Sequence, residues 1–462
     1  MKNLLSAAFL LLSIASAAES EQKPNFIIIF TDDQGYGDLG CYGSERANTP
    51  RIDQMAAEGA KLSSFYVADA YCTPSRAGLM TGSYAKRVGI GGVFLSKSAT
   101  GLNPAEVTIA EVLKQAGYRT GMFGKWHLGD QLEFLPLQQG FDEFYGLPYS
   151  HDIHPHNPKN SAKRNFPPLP LLEGNKVIEL EPNADLLTKN FTERAVQFIA
   201  ENKEHPFFLY VPHPLPHRPV HTTPEYLENI PEEYKVALEE EKKTGKINYD
   251  VRDKLYFEGL AEIDWSVGQI LDAVKQHGID ENTIVMFFSD NGQARPPVGI
   301  GTAYPCSGSK GTTLEGGLRV PTVIRWPAQI KPGQDIDTLL TAMDLLPTFA
   351  KLAGGKAPAD RVIDGKDIYL SLTKGAPTPH EAFFYHRAGK LQAVRAGKWK
   401  LHLQGSSLYD LHADIGEKDN VSAQHPEIVK KLKDKAVAFG KDIKANSRPI
   451  GKVKTPTILT ID

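Results

Sequence analysis

The sequence has few cysteines, little net charge and, after its first residues, no long apolar run. Three cysteines among 462 residues are too few for a disulfide scaffold. The formal net charge of −3 excludes the basic surface that is typical of nucleic-acid-binding proteins. A composition of 41% hydrophobic and 23% charged residues is otherwise ordinary for a globular protein. We therefore predict a large globular chain with neither a nucleic-acid nor a membrane partner.

The first eighteen residues have the pattern of a secretory signal peptide. Lys2 supplies a positive start, residues 4–12 are mostly apolar, and Ala15-Ser16-Ala17 is a small-x-small cleavage pattern. The apolar run is too short to cross a bilayer. No cysteine follows the cleavage pattern to carry a lipid anchor. We predict that residues 1–18 are removed and that the mature protein is periplasmic or secreted.

Short strand patterns alternate with amphipathic helical patterns through most of the chain. This alternation predicts an α/β fold with a large, mostly parallel sheet flanked by helices. From about residue 354, closely spaced strand patterns precede one helical stretch and predict a smaller C-terminal antiparallel sheet with one helix. The predicted units are a catalytic α/β domain at 19–355 and a C-terminal subdomain at 356–462. The predicted strands are 25–30, 118–123, 207–211, 283–288, 383–386, 391–395, 399–403 and 407–409, and the predicted helices are 49–58, 108–116, 185–202, 254–276 and 426–439.

Polar residues follow the carboxyl ends of the predicted strands of the large sheet. In open α/β sheets, ligands bind in the crevice outside these ends. We therefore expect one cleft that collects carboxylates, a lysine and several histidines. In chain order the residues are Asp32 and Asp33, then Lys125 and His127, then His213 and His217, and finally Asp290 and Asn291.

The carboxylates and the amide of this cleft form a set of hard oxygen donors. Such a set suits calcium or magnesium and does not suit zinc or copper. Without a cation, clustered carboxylates repel one another and one of them holds a proton. Each pair alone also fits an ordinary cap or turn. Their matching positions at strand ends favour a metal site made by Asp32, Asp33, Asp290 and Asn291.

Cys72 begins the segment CTPSR, which ends at Arg76. Pro74 fits the first turn of a helix, with Thr73 as a candidate N-cap. Position 72 would then lie at a helix N-terminus, where backbone N–H groups favour an anion. Arg76 is about one turn further on, so its guanidinium can return to the same end. A buried structural cysteine is the ordinary alternative.

The segment CTPSR and the residues after it, AGLMTG, resemble the signature of the type I sulfatases of the alkaline phosphatase superfamily. Four further segments agree with that family in order and spacing, so that the resemblance covers residues 24–420. The resemblance is greatest to the arylsulfatase A and N-acetylgalactosamine-6-sulfatase group. It implies hydrolysis of a sulfate monoester. The four segments are 32–38, 117–129, 289–292 and 310–321.

The resemblance implies a role for each residue of the cleft. A formylglycine-generating maturation enzyme would oxidise Cys72 to an aldehyde. One hydroxyl of the hydrated aldehyde would attack sulfur, and the other would allow sulfate to leave. The implied roles are calcium binding by Asp32, Asp33, Asp290, Asn291 and the formylglycine oxygen at Cys72, support of the aldehyde hydrate by Arg76 and Lys125, general base catalysis by His127, and sulfate binding with assistance to the leaving group by His217 and Lys310.

The substrate is less well defined by the sequence than the reaction. Secreted members of this family often act on sulfated sugars or glycans, and we expect such a substrate here. His151 and His154, in the loop at 149–154, are candidates for contact with the sugar because loops carry specificity. A carboxylate or a bound sulfate close to a histidine is expected to raise its pKa. The position of the sulfate, exo or endo action and the oligomeric state stay open, as does the choice between pairing and reduction for Cys41 and Cys306.

Three other classes of function compete with this interpretation. A phosphatase, phosphodiesterase or phosphonate hydrolase of the same superfamily commonly uses more histidine ligands and a Thr or Ser nucleophile, unlike Cys72 and the oxygen set here. A non-catalytic glycan-binding relative would be expected to have a degraded site. An exported structural or adhesion protein is disfavoured because the sequence has no repeats and has many polar residues at its strand ends.

Overall fold

The computed structural model describes residues 23–157, 160–228, 230–244, 248–294 and 301–461. The predicted signal peptide at 1–18 lies outside the described residues. Among the helices in these ranges, none is both long enough and apolar enough to cross a bilayer.

The first strand of the large sheet is buried on both faces. Phe26, Ile28 and Phe30 pack into one hydrophobic core, while Ile27 and Ile29 pack into a second core on the opposite face. Because successive side chains of a strand point to opposite faces, a continuous apolar run requires helices on both sides of the sheet. The strands, in chain order, are β1 Asn25–Thr31, β2 Ala60–Lys61, β3 Phe65–Tyr66, β4 Thr100–Gly101, β5 Arg119–Lys125, β6 Glu143–Leu147, β7 Pro170–Glu173, β8 Lys176–Leu180, β9 Phe207–Pro212, β10 Thr283–Ser289, β11 Thr322–Arg325, β12 Gln334–Asp335, β13 Leu340–Thr341, β14 Phe383–Arg387, β15 Lys390–Ala396, β16 Trp399–His402, β17 Leu408–Asp410 and β18 Gly451–Lys452.

The large sheet has ten strands in the order β12-β2-β11-β10-β1-β9-β5-β6-β7-β8. Its centre, from β10 to β6, is parallel throughout. Antiparallel strands β11 and β7 flank this parallel centre on its two sides. The carboxyl ends of the five central strands therefore lie along one edge, which is where the sequence predicts the cleft.

Two layers of helices cover the sheet. Helices α2, α3 and α9 contribute to the core on one face, and α1, α4 and α7 contribute to the core on the other. Short 3-10 segments occur at Gly40–Tyr42, Leu132–Phe134, Pro136–Gln139, Ala184–Leu186 and Ala342–Asp344. The α-helices are α1 Pro50–Glu58, α2 Cys72–Thr81, α3 Ile109–Gln115, α4 Leu187–Asn202, α5 Pro224–Glu228, α6 Glu232–Thr244, α7 Tyr249–Gln276, α8 Glu315–Leu318, α9 Leu345–Leu352, α10 Tyr369–Lys374 and α11 Pro426–Ala445.

The C-terminal part of the chain forms a second, smaller sheet. Strands β14 to β17 pair in sequence as an antiparallel meander. Helix α11 packs on this sheet, where Leu432 and Ala436 join Val394, Leu401 and Leu408 in a separate core. The predicted fold class is therefore confirmed for both sheets. The predicted helix at 426–439 is too short, because α11 continues to Ala445.

Candidate active site

The register of the central strands brings the acidic residues together. Strands β1 and β10 are parallel neighbours in which Thr31 pairs with Ser289. Asp32 and Asp290 therefore leave the sheet side by side, and the backbone N–H of Asp290 donates to Thr31 O at 3.0 Å. The backbone N–H of Asp33 donates to Asp290 Oδ1 at 3.2 Å. Two carboxylates that are far apart in sequence thus become neighbours through strand pairing.

Asp32, Asp33, Asp290 and the Cys72 thiol each offer one atom to a group that could hold a metal ion. These atoms lie within 4.8 Å of one another, and all four residues are buried. Asn291 adjoins the group, since its Nδ2 donates to Asp33 Oδ1 at 2.7 Å. The Oδ1 atom of Asn291 is buried and has no hydrogen-bond partner among the described residues. The structure thus brings together all five predicted metal-site residues.

Cys72 is the first residue of helix α2, which places its thiol at the N-terminal end of that helix. The Sγ atom lies 3.5 Å from Asp32 Oδ1 and 3.1 Å from Lys310 Nζ. Burial, together with the charge of Asp32, raises the pKa of Cys72 well above its ordinary value. The prediction of Thr73 as N-cap is wrong. Tyr71 holds that position, while Thr73 lies within the helix and accepts from the N–H of Phe94 at 3.3 Å.

Arg76 extends from α2 into the acidic group. Its guanidinium lies 3.0 Å from Asp32 Oδ2 and 2.9 Å from Asp290 Oδ2, and its Nη1 donates to Lys125 O at 2.8 Å. All of these side chains are essentially inaccessible to solvent. Such an arrangement fixes the guanidinium against one oxygen of each carboxylate.

Lys125 ends strand β5, and its side chain is fully buried. The Nζ atom forms a short contact with Asp32 Oδ2 and donates to Ser150 Oγ at 3.0 Å. Ser150 lies in the loop after β6, the neighbouring strand of the sheet. The ammonium group is therefore held from two sides beside the acidic group.

Asp32 and Asp290, which are neighbours in space, have opposite shifts in pKa. Burial alone would raise the pKa of Asp32, but the positive charges of Lys125, His217 and Arg76 hold it well below its ordinary value. Burial, with the charge of Asp32 added, raises the pKa of Asp290 to about 7 despite the opposing effect of Arg76. Crowded carboxylates behave in this way when their mutual repulsion is not fully neutralised. A divalent cation would supply the missing positive charge.

His127 follows β5 and is buried, with its backbone in the left-handed region at φ 63°. Its Nε2 lies 3.0 Å from Phe94 O, and its Nδ1 has no partner among the described residues. A carbonyl oxygen can only accept, so Nε2 carries the proton and neutral Nδ1 is left as an acceptor. The expected rise in its pKa is wrong, because burial and the charges of Lys125 and Arg76 hold the pKa well below its ordinary value.

His217 and Lys310 approach the acidic group from the opposite side, through Asp33. His217 Nε2 lies 3.6 Å from Asp33 Oδ2, and Lys310 Nζ lies 2.5 Å from Asp33 Oδ1. Both side chains keep some exposure, 15% and 17% respectively, so this is the side on which the group opens to solvent. For His217 too, burial lowers the pKa and outweighs the carboxylates that raise it.

The two histidines predicted to contact the sugar lie in different surroundings. His151 is buried, its Nε2 contacts Pro219 O at 2.8 Å, and its ring meets the ring of His217 edge-on with centroids 5.6 Å apart. His154 is only partly buried, and its ring faces His156, 6.1 Å away on the same loop. His151 therefore adjoins the group of predicted catalytic residues, whereas His154 lies further along the loop.

Two residues of this loop were missed as site residues. Ser150 contacts Lys125 as described above, and Asp152 is a carboxylate whose pKa is kept low by His217 and His151 against the effect of burial. Their only sequence signal was proximity to His151. His213, which the sequence grouped with His217, is instead buried against Ser266 Oγ at 3.0 Å. Cys41 and Cys306 are both free thiols in the structure.

Comparison with known proteins decides the family. The family model described as Sulfatase matches residues 24–355 of the chain. The chain belongs to the sulfatase family. A second model, N-sulphoglucosamine sulphohydrolase, C-terminal, matches residues 309–442. The chain is accordingly a sulfuric ester hydrolase, as the resemblance of its motifs implies.

Individual relatives of this sulfatase agree with the family match. Human arylsulfatase A is 35% identical, over 93% of this chain and 92% of its own. Mouse N-acetylgalactosamine-6-sulfatase is 37% identical, over 84% of this chain and 72% of its own. The crystal structure of Ps i-CgsB in complex with k-i-k-neocarrahexaose is 31% identical, with a TM-score of 0.78 over 92% of this chain and 94% of the other. The predicted resemblance to the arylsulfatase A and N-acetylgalactosamine-6-sulfatase group is confirmed.

Proposed function

We propose that the sulfatase hydrolyses sulfate monoesters on sugar units of sulfated glycans, using calcium and a formylglycine derived from Cys72. One observation carries this proposal. The Cys72 side chain, at the start of a helix, lies in one group with three buried acids, and the amide of Asn291 donates to one of these acids, Asp33. The Cys72 Sγ atom also lies 3.1 Å from Nζ of Lys310. A nucleophile position, a cation site and a site for an anionic group therefore coincide.

The donor set fits calcium. Asp32, Asp33, Asp290 and Asn291 offer only oxygen atoms, which are the ligands that calcium prefers. The buried and unpartnered Oδ1 of Asn291 and the raised pKa of Asp290 are both compatible with a cation bound at this point. Calcium bound by these residues would polarise an oxygen at position 72 and offset the negative charge of the substrate.

The chemistry at position 72 favours a modified residue over a thiolate. The thiolate is the reactive form of cysteine, and a pKa raised by burial keeps the Cys72 thiol neutral. Formylglycine at this position would supply an oxygen nucleophile and, through a second hydroxyl, a means of releasing sulfate. A separate maturation enzyme would be the partner that forms it, and a periplasmic or extracellular location would follow from the signal peptide at 1–18.

The positive side chains around the thiol are arranged to bind a sulfate ester. Lys310 and His217 lie on the open side and can contact the sulfate oxygens. Arg76 and Lys125 lie on the buried side and are held by Asp32. Charges that are already oriented stabilise a developing negative charge without reorganisation. These four residues would therefore stabilise the transition state from two sides.

His127 is suited to accept a proton from the group at position 72. Its Nε2–H donates to Phe94 O, so the ring is oriented and Nδ1 is the free acceptor. Its low pKa keeps the ring neutral at ordinary pH, which is the form a base needs. His217, on the side where the group opens to solvent, would serve the leaving group.

The relatives support a sugar substrate. One is named for N-acetylgalactosamine 6-sulfate, and the Ps i-CgsB structure contains a neocarrahexaose. His151 and Asp152, beside His217, supply polar groups of the kind that bind sugar hydroxyls, and His154 lies further out on the same loop. The division into a catalytic domain at 19–355 and a C-terminal subdomain at 356–462 is proposed with the same function.

The test is the mass of the tryptic peptide that contains position 72, from protein produced together with a formylglycine-generating enzyme. Conversion of the cysteine to the aldehyde lowers the mass by about 18 units. Cys72→Ala should abolish turnover of 4-nitrophenyl sulfate and keep the fold, while Cys41→Ala, at another free thiol, should keep both the turnover and the fold. An unmodified thiol in protein that is fully active on 4-nitrophenyl sulfate would reject the formylglycine mechanism.

A further inference from the structure

Lys310 lies in a loop whose two ends are joined by the backbone. The N–H of Gly316, beyond Lys310, donates to Ser307 O, before it, at 2.8 Å. The N–H of Lys310 itself donates to Gln293 O at 2.8 Å. The place of the Lys310 side chain therefore depends on how residues 307–316 are held, and in particular on the chain at the start of α8.

The start of α8 is held by the C-terminal sheet. The backbone N–H of Glu315 donates to Glu417 Oε1 at 2.6 Å. Lys400, on β16, bridges the two acids, with its Nζ at 2.8 Å from Glu315 Oε1 and 2.9 Å from Glu417 Oε1. All three side chains are completely buried. The residue next to Gly316 is thus fixed by a charged group that comes from another part of the fold.

Further donors complete this group. Tyr385 OH donates to Glu315 Oε1 at 2.7 Å, and His402 Nε2 lies 2.5 Å from Glu417 Oε2. Charge-assisted hydrogen bonds of this kind are stronger than neutral ones and set directions as well as distances. Glu417 therefore has three contacts that fix its carboxylate against the N-terminus of α8.

Helix α8 also contacts the residue that follows Asn291 of the metal group. The N–H of Gly292 donates to Gly317 O at 3.2 Å. A Cβ atom at Gly292 would lie 1.8 Å from Gly316 O, so the chain after Asn291 can approach α8 only as glycine. A displacement of α8 would therefore be felt both at Lys310 and at the turn that carries Asn291.

We propose that Glu417 is a positioning residue for sulfate binding, which acts through Glu315 and α8 to hold Lys310 in place. The inference rests on the proposed role of Lys310 in binding the sulfate group. Glu417 lies 107 positions after Lys310 in the sequence, and it belongs to the C-terminal sheet and its connections. The C-terminal part of the chain would thereby take part in catalysis without touching the substrate.

A network that only stabilises the fold is the competing explanation. Loss of such a network lowers the unfolding temperature but leaves the affinity of the folded protein for sulfate unchanged. A positioning role instead weakens sulfate binding, and does so only while Lys310 is present to be misplaced. The dependence on Lys310 therefore separates the two explanations.

The experiment measures inhibition of 4-nitrophenyl sulfate hydrolysis by inorganic sulfate in the Glu417→Gln variant. We expect the inhibition constant and KM to rise about tenfold, with a smaller change in kcat, as is found when a group that orients a ligand is removed. Lys310→Met should weaken inhibition by at least as much. In the double variant, Glu417→Gln should add less than about twofold to the effect of Lys310→Met, because coupled residues are not additive.

Two further variants serve as controls. Tyr385→Phe removes one hydroxyl from Glu315 and should raise the inhibition constant a few-fold, which keeps the test available if Glu417→Gln does not fold. Leu432→Ala removes a buried side chain from the separate core of the C-terminal sheet. It should lower the unfolding temperature without changing the inhibition constant.

Three other outcomes would contradict the proposal. If Glu417→Gln and Tyr385→Phe lower only the unfolding temperature, as Leu432→Ala does, the positioning role is wrong. Equal effects of Glu417→Gln with and without Lys310→Met would also overturn it. If Lys310→Met itself leaves sulfate inhibition unchanged, the failure lies in the proposed role of Lys310.

Discussion

The cleft at the strand ends and the junction with the C-terminal sheet both bury several charged side chains, but they differ in how completely those charges are paired. At the junction, each carboxylate oxygen of Glu315 and Glu417 has a hydrogen-bonding partner. In the cleft, Asn291 Oδ1 and the Nδ1 atoms of His127 and His217 are buried with no partner in the described ranges.

This difference separates a charge cluster that holds neighbouring elements in place from one that is arranged to bind ligands directly. Buried polar atoms are nearly always satisfied in folded proteins, because leaving one unpaired costs about 1–3 kcal/mol. The junction obeys that rule and the cleft does not. Asn291 and His217 lie beside Asp33 of the acidic group, and we expect a bound cation and substrate to supply the partners that these atoms lack. A variant at the junction should therefore lose mainly stability, whereas a variant in the cleft should lose mainly activity.

The largest effect is expected from Asp290→Asn in the cleft. Removal of one carboxylate should lower kcat/KM for 4-nitrophenyl sulfate about a thousandfold, because a preoriented charge is lost. In calcium-free protein, the Asp290→Asn variant should be at least as stable as the wild-type sulfatase, because three crowded carboxylates become two. Steady-state kinetics with 4-nitrophenyl sulfate would measure the first effect, and thermal unfolding in EDTA the second.

The effect of calcium on the unfolding temperature provides a second test of Asp290→Asn. Ligands that bind only the folded state raise its stability, so calcium should raise the unfolding temperature of the sulfatase and raise that of Asp290→Asn much less. The matched control is Asp410→Asn, whose carboxylate pairs with Lys398 at the surface of the C-terminal sheet. Activity that survives complete chelation would show the calcium assignment to be wrong.

The cleft could be predicted from the sequence because strand ends are visible there. Apolar runs mark buried strands, parallel strands place their carboxyl ends at one edge, and Asp32 and Asp290 each come directly after such a run. The pairing of Thr31 with Ser289 converts that similarity into contact. The motif at Cys72 then indicates the chemistry, and its position at the first residue of α2 follows from Pro74.

The junction could not be predicted, since nothing local marks it. Glu315 and Glu417 are 102 residues apart, and each alone is an ordinary surface residue type. The contact of Ser150 with Lys125 depends on the path of a loop, which has no periodic signal. The predicted rise in the pKa of His127 is wrong, because the sequence shows which carboxylates are close to the histidine but does not show how deeply it is buried.

The next prediction concerns the loss of stability when a buried lysine is replaced, either Lys400 at the junction or Lys125 in the cleft. Lys400→Met leaves Glu315 and Glu417 without their shared cation, so we expect the free energy of unfolding to fall by about 3–5 kcal/mol. Lys125→Met should lower it by at most about 2 kcal/mol, because Asp32 keeps its contact with Arg76. Urea denaturation of both variants would measure the difference.

Activity should follow the opposite order in these two variants. At a temperature where both are folded, Lys125→Met should lower kcat about a hundredfold, because a charge beside the reacting group is removed. Lys400→Met should retain more activity than Lys125→Met. Equal losses of stability in the two variants would contradict the distinction between a complete and an incomplete cluster.

The smallest effect is expected from Ser150→Ala, which tests how finely the cleft is arranged. The Lys125 ammonium donates to Ser150 Oγ at 3.0 Å and also contacts Asp32, so loss of the hydroxyl leaves the charge in place but less constrained. We expect kcat/KM to fall about fivefold, equivalent to about 1 kcal/mol for one hydrogen bond. Peptide mass analysis should show unchanged modification at position 72. The matched control, Ser98→Ala, removes a hydroxyl that contacts only Thr100 among the described residues and should leave kcat/KM unaltered. A loss as large as that in Lys125→Met would mean that the serine, and not the ammonium alone, contacts the reacting group.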